Sequence, residues 1–211
     1  MSRCLFFLFF LVLIVAHGTS DAGEPGPPGR RENTLKLQPY IHCDGFAEGV
    51  RGVTLDRRPQ TAGPLREVGF GGKSRHLSVV DGYRVGYSYP RKFGFATLRA
   101  ERSDPSRYVR DKQTVTLILA EMAKADSGTE LVDFSDRGFS GQTLTKKALS
   151  GSTLGTTQIF SDEDSVIVTI YFHNQVPEMR NFQTYGEFVS LRDSFTRGYI
   201  ECVAKKRSSP R

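Results

Sequence analysis

Five carboxylates in the middle of the chain could do acid–base chemistry. They are Asp111, Glu121, Glu130, Asp133 and Asp136. Two carboxyl groups that flank a glycosidic bond can act as general acid and as base or nucleophile, and their separation decides between these roles. The sequence does not give that separation. A small secreted hydrolase that uses a carboxylate or histidine cluster is therefore the alternative function.

The histidines and the acidic run do not predict a metal site. His42, His76 and His173 stand at no ligand spacing such as i, i+4 on a helix. The run Asp162-Glu163-Asp164 could bind calcium, but it lacks the EF-hand spacing, and successive carboxylates on a turn are typical of a solvated loop. The chain also has no G-x-S-x-G nucleophile motif. We predict no metal and no cofactor.

The run Gly69-Phe70-Gly71-Gly72-Lys73-Ser74 ends like a phosphate-binding loop. That motif requires a glycine five positions before Gly72, where this chain has Glu67. The run is therefore predicted to be a flexible glycine turn.

The N-terminus has the pattern of an export signal. Arg3 precedes an uninterrupted apolar run from Leu5 to Ala16, which as a helix reaches only about 18 Å and falls short of the roughly 30 Å hydrocarbon core. Small residues at Ala16 and Gly18 predict cleavage after Gly18, with a later cut near Ala22 or an uncleaved anchor as alternatives. The predicted location is secreted or periplasmic.

Export changes the expected chemistry of the cysteines. Cys4 leaves with the signal, so the mature chain keeps Cys43 and Cys202. Two cysteines in an oxidising compartment predict one disulfide, between the N-terminal arm and the end of the last helix. The alternative is a metal-binding or catalytic thiol at Cys43, assisted by His42 and Asp44.

Composition predicts an ordinary globular protein with one main domain. The chain has 211 residues, of which 38% are hydrophobic and 25% charged, and its formal net charge is +6; these values exclude collagen, a coiled coil and a wholly disordered chain. The predicted organisation is a signal peptide (1–18), a Gly/Pro-rich linker (19–33), an irregular N-terminal arm (34–74), an α+β domain (75–203) and a basic tail (204–211).

The basic tail suggests one kind of surface contact. Lys205, Lys206 and Arg207 follow the last apolar residues and could make a weak contact with an anionic surface, although a frayed, solvated terminus is the simpler interpretation. Export argues against a nucleic-acid partner. The expected partner is a protein or another cell-envelope component.

The first strands place a row of tyrosines on one face. Arg75 to Val80 is β-prone, Asp81-Gly82 is a hairpin-turn signal, and Tyr83 to Tyr89 alternates with period two. The tyrosines of this strand could form an exposed binding platform or could be half-buried sheet residues; they are Tyr83, Tyr87 and Tyr89.

The middle of the chain is predicted as further strands. Phe93 to Ala100 and Thr114 to Met122 are expected to be strands, with a helix from Glu121 to Ala125 as an alternative, and a short helix is possible at Leu144 to Leu149. Thr156 to Phe160 and Val166 to His173 form a predicted hairpin. Because its second strand is apolar on both faces, we expect it to be central.

Two features close the domain. His173, Asn174 and Gln175 stand where a strand meets a loop and are the predicted polar mouth of a pocket. Thr184 and Glu187 form a capping box. The helix that follows carries an apolar stripe for packing on the sheet, namely Phe188, Leu191, Phe195 and Tyr199.

The order of these elements resembles PsbP-like domains over about residues 75–202. The resemblance rests on Tyr83 to Pro90, on the hairpin ending in Val166 to Phe172, and on Phe188 with Ser194-Phe195 in the final helix. It implies an α+β sandwich, in which an antiparallel β-sheet carries packed helices and a C-terminal amphipathic helix, and it implies no catalytic residues. We therefore predict an exported non-enzymatic binding or assembly module that acts on a protein or cell-envelope component.

Overall fold

The computed structural model describes residues 36–41, 43, 53–55, 60–61, 66–149, 151–174 and 180–209. The predicted signal peptide, the predicted linker and Gln175 lie outside these residues. The elements in chain order are α1 (36–41), β1 (Thr54–Leu55), β2 (Gln60–Thr61), β3 (Arg66–Phe70), β4 (Lys73–Leu77), β5 (Val79–Tyr89), β6 (Lys92–Ser103), α2 (Tyr108–Ala125), β7 (Thr129–Asp136), β8 (Phe139–Lys146), β9 (Thr153–Ser161), β10 (Val166–His173) and α3 (Tyr185–Ser208).

A single antiparallel sheet organises these elements. Its strand order is β1-β5-β6-β10-β9-β8-β7, β2 also pairs with β5, and β3 and β4 form a separate hairpin. The predicted α+β class with a C-terminal helix is confirmed. Strand β10 lies between β6 and β9, as its two apolar faces predicted.

The first face of the sheet packs against α3. The N-terminal cap forms as predicted, since the Thr184 hydroxyl accepts a hydrogen bond from the Glu187 amide at 3.1 Å. Phe195 lies at the centre of the core, and its ring makes edge contacts with Tyr87, Phe95 and Phe172. Helix α3 is thus held by aromatic side chains from three strands.

The second face carries α2 and the β3–β4 hairpin. Tyr108 and Val115 of α2 pack on Phe160 and Ile167. The hairpin is anchored by a buried guanidinium, because Arg66 forms an ion pair with the buried Glu101. Arg66 also donates hydrogen bonds to sheet side chains, namely to the hydroxyl of Thr169 at 3.2 Å and to that of Tyr171 at 2.9 Å.

Helix α2 overturns one strand prediction. Thr114 to Met122 is helical. A strand would put Val115, Leu117 and Leu119 on one face, but Val115 and Leu119 are buried whereas Leu117 is 51% exposed. The helical repeat puts positions 115 and 119 on one face and position 117 on another.

Two further local predictions are wrong. The segment from Leu144 into the following loop is not helical, since Leu144 lies in β8 and pairs with β9. Asp81-Gly82 is not a hairpin turn: it lies inside β5, where Asp81 and Gly82 pair with Arg102 and Glu101 of β6. A different prediction is confirmed, because Gly71 and Gly72 both have positive φ and form the turn of the β3–β4 hairpin.

The segment of α1 and Cys43 is bound to helix α3. Cys43 and Cys202 lie at disulfide distance with their Cα atoms 5.8 Å apart, as predicted, and the Tyr199 hydroxyl donates to the Tyr40 carbonyl of α1 at 2.8 Å. The predicted boundary at residue 75 falls inside the β3–β4 hairpin. The predicted tail at 204–211 is corrected as well, because α3 continues to Ser208.

Candidate binding groove beside strand β7

A groove of about 460 Å³ runs between the β7–β8 end of the sheet and α3. Its floor and first wall come from β7 and β8, and its second wall comes from the exposed side of α3. The side chains that line it include Glu130, Val132, Phe134, Asp136, Arg192 and Arg197.

Strand β7 forms the edge of the sheet at this groove. It pairs with β8 along its whole length, and among the described residues no strand pairs with its outer side. Alternation along the strand turns every second side chain, from Glu130 to Asp136, toward the groove. Val132 is 50% exposed there. The groove thus combines an open backbone edge with apolar and acidic side chains.

A glycine shapes the floor of the groove. Phe134 lies directly across from Gly141 in the β7–β8 pairing. A Cβ atom at position 141 would stand 2.3 Å from the Phe134 ring and 2.3 Å from the Gln158 carbonyl oxygen. A side chain at position 141 would therefore displace the Phe134 ring.

Helix α3 supplies two arginines to the groove, one held by contacts within the protein and one exposed. Arg192 is fixed, since it donates to the Thr145 hydroxyl, pairs with Asp193 and lies 5.9 Å from the centre of the Phe188 ring. Arg197 is exposed and has no hydrogen-bond or ion-pair partner among the described residues. It is the charge in this groove that can turn toward a bound anion.

The structure does not assemble the carboxylates suggested for hydrolysis. Glu130 and Asp136 both face the groove, but they stand six positions apart along the strand, a distance of about 20 Å, well beyond the roughly 10 Å that such a pair spans. Asp133 accepts from Gln142 at 2.7 Å, and the buried Asp111 accepts from the Ser78 amide at 2.8 Å. Glu121 is exposed on α2.

The acidic turn connects three helices. Asp162 accepts hydrogen bonds from the Tyr108 hydroxyl at 2.8 Å and from Lys112 at 2.7 Å, and the bond from Lys112 lowers the pKa of Asp162. Asp164 accepts from the Tyr40 hydroxyl at 2.5 Å. Arg207 pairs with both Glu163 and Asp164. These carboxylates are thus engaged with protein cations and phenols.

The same contacts involve the basic tail. Arg207 pairs with the acidic turn, whereas Lys205 and Lys206 are exposed in the last turn of α3, and the predicted contact with an anionic surface stays a prediction. Among the described residues, no group of three or more His, Cys, Asp and Glu side chains could hold a metal ion.

The tyrosine row does not form an exposed platform. Tyr87 is 1% exposed and contacts Phe195 at the centre of the core. Tyr83 and Tyr89 are partly buried and pack against the same core. The platform interpretation is therefore wrong for Tyr87, and the half-buried interpretation describes its two neighbours.

The polar residues at the end of β10 form hydrogen bonds with the segment that precedes α3. The Asn174 side-chain oxygen accepts from the Asn181 amide at 2.8 Å, and the Asn181 side chain donates to the His173 carbonyl at 3.0 Å. The His173 ring lies 3.0 Å from the Thr97 hydroxyl. Burial, and then the positive charge of Arg84, lower the pKa of His173. Asn174 is buried, and it joins the end of β10 to the segment that precedes α3.

The sequence indicated Glu130 and Asp136 only as possible catalytic acids, and it did not indicate Arg192 and Arg197 as groove residues. The available signal was the alternation in β7, which is weak because each face of this strand mixes apolar and polar side chains.

No protein-family model matches the sequence. Comparison with curated proteins also finds no matching relative. The resemblance to PsbP-like domains therefore stays a prediction. None of the described helices has the length and apolar character needed to cross a membrane.

Proposed function

We propose that this protein is an exported, non-enzymatic binding module that takes up an extended segment of a partner protein along strand β7. The observation that carries the proposal is the open edge of β7 beside the groove. An extended segment can add to such an edge through main-chain hydrogen bonds, while its side chains enter neighbouring pockets.

The groove suits an extended segment with apolar residues at alternate positions and one acidic residue opposite Arg197. Every second side chain of an added strand would enter the groove between β7 and α3. Apolar side chains would meet Val132 and Phe134, and an acidic side chain would meet Arg197. Glu130 and Asp136 near the two ends of β7 discourage indiscriminate pairing, as charged residues do on other edge strands.

The proposal includes export of the protein. It is supported by the apolar run after Arg3 and by the pairing of Cys43 with Cys202, which is expected in an oxidising compartment. Membership of the PsbP-like family, whose domains act as assembly or binding modules, would be consistent with this role.

Site-specific photo-crosslinking tests the proposal. A benzophenone side chain at position 132 in the full chain, activated in the producing cells, is expected to give a discrete adduct. The same group at Leu117, which is equally exposed on α2, is the control. A synthetic peptide of the cross-linked segment should then bind the purified protein, and Arg197→Glu should weaken that binding about tenfold.

Three outcomes would reject the proposal. They are the absence of any adduct at position 132, the same set of adducts at positions 117 and 132, and a cross-linked peptide that shows no affinity for the purified protein. An adduct between two copies of this chain would replace the partner with self-association through β7.

A further inference from the structure

A second cavity lies on the opposite face of the sheet from the groove. It has a volume of about 280 Å³ and lies between the end of α2, the tip of the β3–β4 hairpin and strands β7 to β9. Leu144 lines this cavity, whereas its strand neighbours Thr143 and Thr145 line the groove. Because successive side chains of a strand point to opposite faces, the two sites are separate.

The interior of this cavity is mainly apolar. Phe70, Met122, Ala125 and Leu144 supply its hydrophobic wall, and threonines supply hydroxyl groups. Phe70 at the hairpin tip is still 36% exposed. The volume is close to the lower end of ligand sites in proteins, about 300 Å³, so a bound molecule would be small. The Met122 thioether side chain can adapt to its shape.

One cation lines the cavity without a described counter-ion. The Lys146 side chain is half-buried, and its ammonium forms no hydrogen bond or ion pair with the described residues. Its ammonium lies 3.5 Å from the point where a Cβ on Gly151 would stand. Asp126 also lines the cavity, but its Oδ1 accepts from the Gly128 amide at 2.8 Å. The half-buried ammonium therefore favours an anionic group on the ligand.

We propose that this cavity binds a small amphiphile that has an apolar body and one anionic group. The apolar body lies between Met122 and Leu144, and the anionic group pairs with Lys146. This site is distinct from the partner-protein groove, so either proposal can fail without the other.

A series of ligands with one tail and three head groups tests the charge. Octanoate, octanol and octylammonium are titrated into the oxidised full-length protein and followed by NMR shifts and calorimetry. Octanoate is expected to bind about tenfold more tightly than octylammonium, with octanol between them. Equal affinities or a preference for octylammonium would overturn the assignment of the anion to Lys146. Absence of binding by all three would overturn the site.

Paired variants locate the binding within the protein. Lys146→Met should reduce octanoate affinity about fivefold and leave octanol unchanged, whereas Lys147→Met, which removes the exposed neighbouring charge, should change neither. An equal effect of the two variants would show that only the overall positive charge attracts octanoate, which contradicts the proposal.

A blocking variant tests the apolar part. The natural chain has no tryptophan, so Met122→Trp both fills the cavity and reports on its own burial by fluorescence. With a blue-shifted emission and an unchanged melting curve, this variant should lose octanoate binding, while Leu117→Trp on the exposed side of α2 should retain it. Retained binding by a folded Met122→Trp protein with a buried indole would overturn the proposal.

Discussion

Arg66 and Glu101 form a charged pair in a region that is otherwise shielded from water. Both side chains are buried, and Arg66 is the polar link between the β3–β4 hairpin and the sheet. Removing Arg66 leaves the buried Glu101 only a second, longer ion pair, in which the partly exposed Arg99 has its Nε 3.5 Å from the carboxylate. We expect Arg66→Met to lower the free energy of unfolding by about 3–5 kcal/mol, measured by denaturant unfolding.

The double variant separates pairing from packing. Arg66→Met combined with Glu101→Leu removes both charges, so its loss of stability should be clearly smaller than the sum of the losses of the two single variants. Additive losses would show that the two charges do not depend on each other.

His173 should make stability sensitive to mild acid. Burial and Arg84 lower its pKa in the folded protein, so the folded state binds this proton less readily than the unfolded state. The contribution is fully present above the unfolded pKa of about 6.5 and is lost as pH falls through the lowered folded value. His173→Gln should therefore reduce the fall in melting temperature between pH 7.5 and pH 5.5.

The exposed histidine His76 provides the control for this experiment. It lies on the outer side of β4, so His76→Gln should keep the fall in melting temperature of the natural protein. Carboxylates titrate mostly below this pH range. An unchanged pH profile in His173→Gln would contradict the assigned role of the ring.

At the scale of elements, the packing of α3 on the sheet depends mainly on the side chain of Phe195. Phe195 is fully buried against rings from β5, β6 and β10. We expect Phe195→Ala to lower the free energy of unfolding by about 3–5 kcal/mol. Leu117→Ala on the open side of α2 should change it by no more than about 0.5 kcal/mol. Equal effects in calorimetry would refute the packing model.

The elements that were predicted correctly carry local signals that agree with their packing. Helix α3 has a capping box and a buried stripe, and the β9–β10 hairpin combines apolar strands with a polar turn. Helix α2 has no such start signal, because its N-cap is Arg107, which makes no side-chain capping bond. Its β-branched Thr114 is accommodated by a hydrogen bond to the Arg110 carbonyl at 2.9 Å.

The β7–β8 hairpin was not predicted because its turn also lacks a strong local signal in the sequence. Its turn uses Arg137 and Gly138, both with positive φ, and Arg-Gly is a weaker turn signal than Asn-Gly or Asp-Gly. The groove was beyond prediction because its walls are about 60 residues apart in the chain, from Val132 to Arg192. Only the tertiary fold brings them together.

At the scale of the whole molecule, the bridge between Cys43 and Cys202 should contribute to stability through the unfolded chain. The two residues are separated by 159 positions, so cross-linking them removes much of the freedom of the unfolded state. Changing both cysteines to serine should lower the free energy of unfolding by about 2–5 kcal/mol. A reducing agent should have the same effect on the natural protein and none on the serine variant. Identical melting curves with and without reductant would contradict this.

The same bridge has a mechanical consequence. Every described strand lies between the two bridged residues, so tension applied to chain segments outside the bridge passes through a covalent bond and bypasses the strands. At about 3.6 Å per residue, roughly 570 Å of contour length is withheld from extension until that bond is reduced. A pulling load applied at the two ends of the chain would therefore leave the sheet folded.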